Sequence, residues 1–65
     1  MRFNDVIKSK GFTIASLAAK ANVNPRSLEQ YSTGRYPLRN ARAYFVVAVA
    51  DALDMHPRDL IALDD

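Results

Sequence analysis

The segment TIASLAAKANVNPRSLEQYSTG, residues 13–34, decides the fold that this sequence predicts. Thr13 is a typical helix N-cap at the start of the segment. The apolar residues that follow it at helical spacing are Ile14, Leu17, Ala18 and Ala21. Asn24 is a second N-cap with Pro25 at the first helical position, and Gly34 marks the end of that helix. The segment therefore predicts two helices of about 9–10 residues joined by about three residues.

This spacing is typical of a helix-turn-helix over about residues 13–33, whose second helix enters the DNA major groove N-terminus first. In that helix Leu28 and Tyr31 are expected to face inward, with Ser27 beside them. The residues expected to face outward are Pro25, Arg26, Glu29, Gln30 and Thr33. Arginine suits bidentate hydrogen bonding to guanine O6 and N7, and glutamine suits adenine N6 and N7. Because a helix N-terminus also favours phosphate, the outward face predicts a contact with DNA.

Two further helices are predicted at the ends of the chain. Residues 3–10 carry apolar residues at helical spacing, and Gly11 ends the segment as a C-terminal cap would. Pro57 begins a short final helix, in which Leu60 and Ile61 are available for burial.

A fifth helix is predicted over residues 41–53, which are apolar on two adjacent stripes. The first stripe consists of Ala43, Val46, Val47, Ala50 and Leu53, and the second of Phe45, Val49 and Ala52. Residues 34–40 are expected to form a connection, because Pro37 biases the residue before it away from helical torsion angles. A β-strand over residues 44–49 is the alternative to this helix, but it would have no partner strand and is therefore rejected. The predicted fold class is all-α, with five helices in a single domain of residues 1–65.

Composition and length limit the kinds of site that the chain can hold. With 65 residues, no cysteine and one histidine, the sequence excludes disulfides and thiolate metal sites. The hydrophobic share of 49% and the charged share of 25% are those of a globular domain. The longest apolar run, residues 43–50, is far shorter than the roughly 20 residues of a membrane helix, and no signal peptide is evident. We expect a small soluble, cytoplasmic protein without a metal or cofactor.

Charge is divided unevenly along the chain. Residues 1–42 hold eight lysines and arginines against two acidic residues, whereas residues 43–65 hold one arginine against five aspartates. The division favours an anionic partner for the basic part, although a solvated surface of mixed charge explains it equally well. If the partner is DNA, the acidic end, including Asp64 and Asp65, is expected to lie on the side away from it.

No constellation in the sequence points to catalysis. The two glycines are isolated, and no serine lies in a G-x-S-x-G motif. The chain is also too short to enclose a substrate pocket on the order of several hundred Å³. His56 precedes Pro57 and is expected to be a turn residue. We therefore expect a binding protein and not an enzyme.

Five short motifs follow one another along the chain. They are TIASLA at residues 13–18, VNPRSL at residues 23–28, Gly34, VADALDM at residues 49–55 and HPRDLI at residues 56–61. Their order and spacing resemble those of the Cro and phage-repressor family (XRE, or lambda-repressor-like) over about residues 5–62. The resemblance implies a compact five-helix lambda-repressor-like fold. It also implies a bacterial or phage-type transcriptional regulator that binds specific double-stranded DNA, with repression favoured over activation.

The resemblance further implies roles for individual residues. The family's base-reading positions fall on Pro25, Arg26 and Gln30. Its contacts to the DNA backbone fall on Thr13 and Ile14, on Ser27 and Thr33, and on the connection of residues 35–42, which holds Arg35, Arg39 and Arg42. At least one of the three arginines in residues 35–42 is expected to contact phosphate.

Several features depart from the family pattern. Ile14 stands where many members have a glutamine that bonds phosphate, and Pro25 offers only apolar contact, for example to a thymine methyl. Ile7 and Ser32 occupy the positions of an Arg–Glu ion pair in many members. Because both charges are absent, no buried charge is left unpaired. The connection after residue 34 is also longer than in the shorter phage repressors.

Two alternatives stay open at the level of sequence. Ile14, Pro25 and the second apolar stripe of residues 41–53 favour a small helical adaptor that binds protein through the same fold. Arg26 is also able to pair with Glu29 three residues further on, as surface helix residues often do.

The working unit is expected to be a homodimer that binds an inverted repeat. A small core benefits from added burial, and the second apolar stripe of residues 41–53 supplies surplus apolar surface. A two-fold dimer also reads two half-sites about 34–36 Å apart. The contact is expected within residues 45–65, which leaves the basic helices for DNA.

Tyr31 and Tyr44 are expected to be core residues.

Overall fold

The computed structural model describes residues 2–64, which contain five α-helices, two short 3₁₀ helices and no β-strand. The α-helices are α1 (Phe3–Ser9), α2 (Ile14–Ala21), α3 (Pro25–Ser32), α4 (Ala43–Ala52) and α5 (Pro57–Ile61). The 3₁₀ helices are Leu38–Asn40 and Ala62–Asp64. None of these helices is long and apolar enough to cross a membrane. The all-α prediction is confirmed for this part of the chain, whereas Asp65 and the side chain of Asp64 lie outside the described residues.

Local hydrogen bonds set the boundary between α1 and α2. Gly11 takes a left-handed φ of +82°, and the N–H of Phe12 donates to the carbonyl of Ile7 at 3.0 Å. α2 then begins with a capping box. The N–H of Ser16 donates to Thr13 Oγ1 at 3.1 Å, and the N–H of Thr13 donates to Ser16 Oγ at 2.9 Å. The predicted helix end at Gly11 and N-cap at Thr13 are confirmed.

Residues 22–24 connect α2 to α3. Asn22 adopts the left-handed conformation, with φ 56° and ψ 47°, which asparagine tolerates better than most residues. Asn24 Oδ1 accepts a hydrogen bond from the N–H of Arg26 at 2.9 Å, and Pro25 is the first helical residue. The predicted start of α3 is therefore confirmed, and so is the length of the connection.

One hydrophobic cluster joins the helices. Its largest fully buried side chains are Ile7, Leu17, Leu28, Leu38, Val49, Leu53 and Leu60. α2 packs against both α3 and α4, and α4 also packs against α5. Burial of each leucine contributes on the order of 1.5–3 kcal/mol. Leu38 lies in the segment predicted as a plain connection, where a single apolar residue gives no periodic signal of a helix or of burial.

The second apolar stripe of α4 is part of the core, so the prediction that it supplies surplus surface is wrong. Val49 is fully buried, Ala52 is buried and Phe45 packs against the cluster. The physical reason is that α4 contacts both α2 and α5 and therefore buries two adjacent stripes. The helix also begins at Ala43, two residues later than predicted.

The exposed side of α4 carries two large apolar residues. Tyr44 is 67% exposed and Val47 is 45% exposed. They lie three residues apart and so share one side of the helix. The expectation that Tyr44 is a core residue is wrong, and Val47 does not belong to the buried stripe in which it was predicted.

The last helix begins as predicted but buries less apolar surface than the sequence predicts. Pro57 is its first residue, and His56 Nδ1 accepts a hydrogen bond from the N–H of Arg58 at 3.1 Å. His56 is therefore the N-cap of α5. Leu60 is fully buried, whereas Ile61 is 37% exposed, so the expected burial is found for only one of these two residues.

Candidate nucleic-acid interface

α3 presents one polar face to solvent. Pro25 and Arg26 in its first turn are exposed, as is Thr33 after its last residue, and Gln30 is half-buried. A shallow groove of about 340 Å³, here called the α3 groove, is lined by Arg26, Glu29, Gln30, Thr33 and Arg35. The structure thus brings two of the three predicted base-reading residues together with two of the predicted backbone contacts. Pro25 is exposed on the same helix but does not line the groove.

The opposite face of α3 fixes the helix on the core. Leu28 is fully buried, and Tyr31 is half-buried and packs against the hydrophobic cluster. The predicted inward direction of both residues is confirmed. Ser27, predicted beside them and as a backbone contact, is half-buried as well. A rigidly anchored helix can present its outer side chains in a constant register.

Ser32 is a buried residue that the inward pattern did not include. It is 9% exposed, and its Oγ donates to the carbonyl of Glu29 at 2.8 Å. Ile7, its counterpart in the position of the family's ion pair, is buried too. Among residues 2–64, no buried side-chain nitrogen or oxygen lacks a hydrogen-bond partner. The uncharged residues at both positions therefore leave no unpaired buried group.

The guanidinium of Arg26 faces solvent beside the α3 groove. In the described part of the chain, no ion pair joins it to Glu29, although both residues line that groove. Such an exposed pair would contribute only about 0.2–0.5 kcal/mol and would compete weakly with a ligand. Arg26 is therefore placed to bind a ligand that approaches the exposed face of α3.

Both predicted threonine contacts already use their hydroxyl protons inside the protein. Thr13 Oγ1 donates to Ser16 Oγ at 3.1 Å, and Thr33 Oγ1 donates to the carbonyl of Gln30 at 3.1 Å. A hydroxyl has one proton to donate, so a contact from either residue to phosphate requires exchange of that bond. Exposed arginines are better suited to the same contact.

The three arginines of residues 35–42 are all exposed, but they lie in different places. Arg35 lines the α3 groove, and its guanidinium carbon lies 5.8 Å from the centroid of the Tyr36 ring. Arg39 lines a second and larger groove of about 850 Å³, here called the α1–α3 groove, between the start of α1 and the end of α3. Arg42 is the N-cap residue of α4 and lines neither groove.

Two of the described acidic residues line a groove, and three do not. Glu29 lines the α3 groove and Asp5 lines the α1–α3 groove. The described aspartates of the acidic end are exposed and line neither groove, and they are Asp51, Asp54 and Asp59. Their position on the side away from DNA stays a prediction.

Within residues 2–64, no three histidine, aspartate or glutamate side chains lie close enough together to hold a metal ion. Comparison of the chain with protein-family models, with curated proteins and with solved structures gave no match. The function proposed below therefore depends on the residues and the geometry described above.

Proposed function

We propose that the chain is a transcriptional regulator that binds a specific sequence of double-stranded DNA, with repression favoured over activation. α2 and α3 act as a helix-turn-helix, and residues 24–33 enter the major groove with the N-terminus of α3 leading. The observation that carries the proposal is the polar face of α3, where Arg26 and Gln30 line one groove while Leu28 anchors the opposite face. Such a regulator, whether bacterial or of phage type, acts in the cytoplasm of a bacterial cell.

The local geometry supports the helix-turn-helix and the lambda-repressor-like fold. The capping box at Thr13 and the left-handed Asn22 fix both ends of α2, and Asn24 with Pro25 fixes the start of α3. α2 also packs directly against α3. The number of α-helices in residues 2–64 is five, as in the fold that the family resemblance implies.

In this mechanism Arg26 donates to guanine O6 and N7, and Gln30 pairs with adenine N6 and N7. Pro25 adds apolar contact at the start of α3. The residues that position the helix on the sugar-phosphate backbone are Thr13, Ser27, Thr33, Arg35, Arg39 and Arg42. Recognition is by binding alone, without a catalytic step, a metal or a cofactor.

Selection of bound duplexes from a random pool tests the proposal. Fluorescence anisotropy then compares the selected duplex with an unrelated duplex of the same length over a series of salt concentrations. We expect the selected duplex to bind at least about 10³-fold more tightly than the unrelated one. Equal affinity for all duplexes, or no salt-dependent duplex binding, would contradict the proposal.

We further propose that the regulator binds an inverted repeat as a homodimer, because one copy of α3 reads few base pairs. Tyr44 and Val47 of α4 are exposed and support a dimer interface on this helix. The second apolar stripe of α4 does not support one, because it is part of the core. Neither residue lines a groove, so the burial of Tyr44 and Val47 in a dimer would leave the proposed DNA surface accessible.

The same exposed pair on α4 favours a second candidate function, a helical adaptor that binds another protein. Salt dependence separates the two candidates. Duplex binding weakens steeply with salt, with a log–log slope of about −0.9 for each phosphate neutralised. An adaptor that does not read DNA is expected to show no such binding to any duplex.

A further inference from the structure

We infer that the α1–α3 groove binds the DNA backbone beside α3, with Arg2 and Tyr36 as phosphate contacts. The sequence pattern places Tyr36 in the connection of residues 35–42, but it names neither Arg2 nor Tyr36 as a DNA contact. The inference rests on the proposed function and extends the same interface beyond the helix-turn-helix.

The two grooves adjoin each other. Thr33, just after the last residue of α3, lines both of them. The described lining of the combined surface contains four arginines, which are Arg2, Arg26, Arg35 and Arg39. Two carboxylates oppose them, those of Asp5 and Glu29. Among the described lining residues, positive charges therefore outnumber negative ones, as on a surface that follows a phosphate strand.

The α1–α3 groove has the chemistry of a backbone contact. Its polar lining includes Arg2, Asn4, Thr33, Tyr36 and Arg39. Arginine, asparagine, threonine and tyrosine are all residue types whose side chains contact phosphate and sugar in protein–DNA complexes. The groove is also partly open to solvent, so an extended strand is able to approach these side chains.

The packing of α1 against α3 places Arg2 in this groove. It precedes α1, and its carbonyl accepts a hydrogen bond from the N–H of Val6 at 3.1 Å, which ties its backbone to the first turn of the helix. α1 packs against α3, so the exposed side chain of Arg2 lies beside the end of α3, some thirty residues away in sequence. Arg2 and Arg39 therefore line the same groove although they are far apart in sequence.

Tyr36 is exposed but held in place. Its ring centroid lies 6.1 Å from that of Tyr31, and the Tyr31 centroid lies 5.0 Å from that of Phe45. These contacts tie the ring to α3 and α4 while 44% of the residue stays exposed. A side chain that is already ordered loses little conformational entropy on binding, so its hydroxyl can contact a phosphate at low cost.

The test is a salt series of duplex binding with Arg2→Ala, Tyr36→Phe and the control Lys8→Ala. Lys8 is exposed on α1 and lines neither groove, so its removal changes the net charge as Arg2→Ala does but spares the groove. For each bound copy of the protein, loss of one phosphate contact is expected to reduce the magnitude of the salt slope by about 0.9 and affinity by about 5–10-fold at 0.1 M salt. Tyr36→Phe removes only the hydroxyl and is expected to weaken binding about 2–10-fold with the slope unchanged.

Arg2→Ala is expected to weaken the selected and the unrelated duplex alike, and Lys8→Ala is expected to leave the slope unchanged. Equal slopes and affinities for Arg2→Ala and Lys8→Ala would overturn the inference. So would an effect of Arg2→Ala on the selected duplex alone, since that result indicates a base contact. A wild-type protein that prefers its selected duplex but does not respond to Arg2→Ala keeps the proposed function and loses only this groove. A wild-type protein that binds no duplex overturns both.

Discussion

Removal of the Arg26 guanidinium is expected to change sequence preference as well as affinity. The hydrogen bond from its N–H to Asn24 fixes its place in the first turn of α3, and its side chain is exposed beside the α3 groove. Arg26→Ala should cost about 1–3 kcal/mol on the selected duplex and relax preference at one base pair. Anisotropy titrations with the selected duplex and its single-base variants measure both effects.

Arg58→Ala is the matched control for that substitution. Arg58 is an exposed arginine on α5 that lines neither groove, so its removal should leave both affinity and base preference nearly unchanged. If Arg26→Ala behaved like Arg58→Ala, α3 would not be the helix that reads DNA.

At the level of the elements, the connection between α2 and α3 depends on the conformation of Asn22. Its φ of 56° costs a residue with a Cβ about 1–2 kcal/mol, except where a short polar side chain or glycine relieves it. Asn22→Ala is therefore expected to lower the free energy of unfolding by about 1 kcal/mol. Asn22→Gly is the control and should be nearly neutral or stabilising. Urea unfolding without DNA measures both, and equal stabilities of the two variants would contradict the role given to this turn.

The ends of the helices were predictable because their signals are local. Thr13 caps a helix three residues before Ser16, and Pro25 with Asn24 marks the start of α3, so a short stretch of sequence contains the whole cause. The burial of Leu38 was not predictable in this way, since a single apolar residue has no period. The burial of the second apolar stripe of α4 was not predictable either. An apolar pattern gives the width of a helix face but not the number of helices that pack against it.

The candidate site shows the same division between local and tertiary causes. The exposure of Arg26 and the burial of Leu28 follow from helical phase within α3, and both agree with the structure. The place of Arg2 does not follow from any local pattern, because it depends on the packing of α1 against α3. The position of Arg39 in a different groove from Arg35 likewise depends on the path of residues 34–40.

At the scale of the whole molecule, a charge on the exposed side of α4 is expected to weaken the proposed dimer. Val47 is 45% exposed, so Val47→Asp should fold normally while placing a carboxylate in the interface. We expect the variant to sediment as a monomer at concentrations where the wild type dimerises, and to bind an inverted repeat less tightly. Its affinity for a single half-site should be unchanged and serves as the internal control. A wild-type protein that stays monomeric on its own and binds each site as one copy would exclude the homodimer.

Methylation interference on the selected duplex tests most directly whether α3 occupies the major groove. Methyl groups on guanine N7 project into the major groove, at the acceptor to which Arg26 is proposed to donate, whereas those on adenine N3 project into the minor groove. We predict that N7 methylation at one guanine of each half-site blocks binding, and that Arg26→Ala abolishes this interference. Interference from adenine N3 methylation alone would contradict recognition by this helix, and N7 interference that persists in Arg26→Ala would contradict the contact proposed for Arg26.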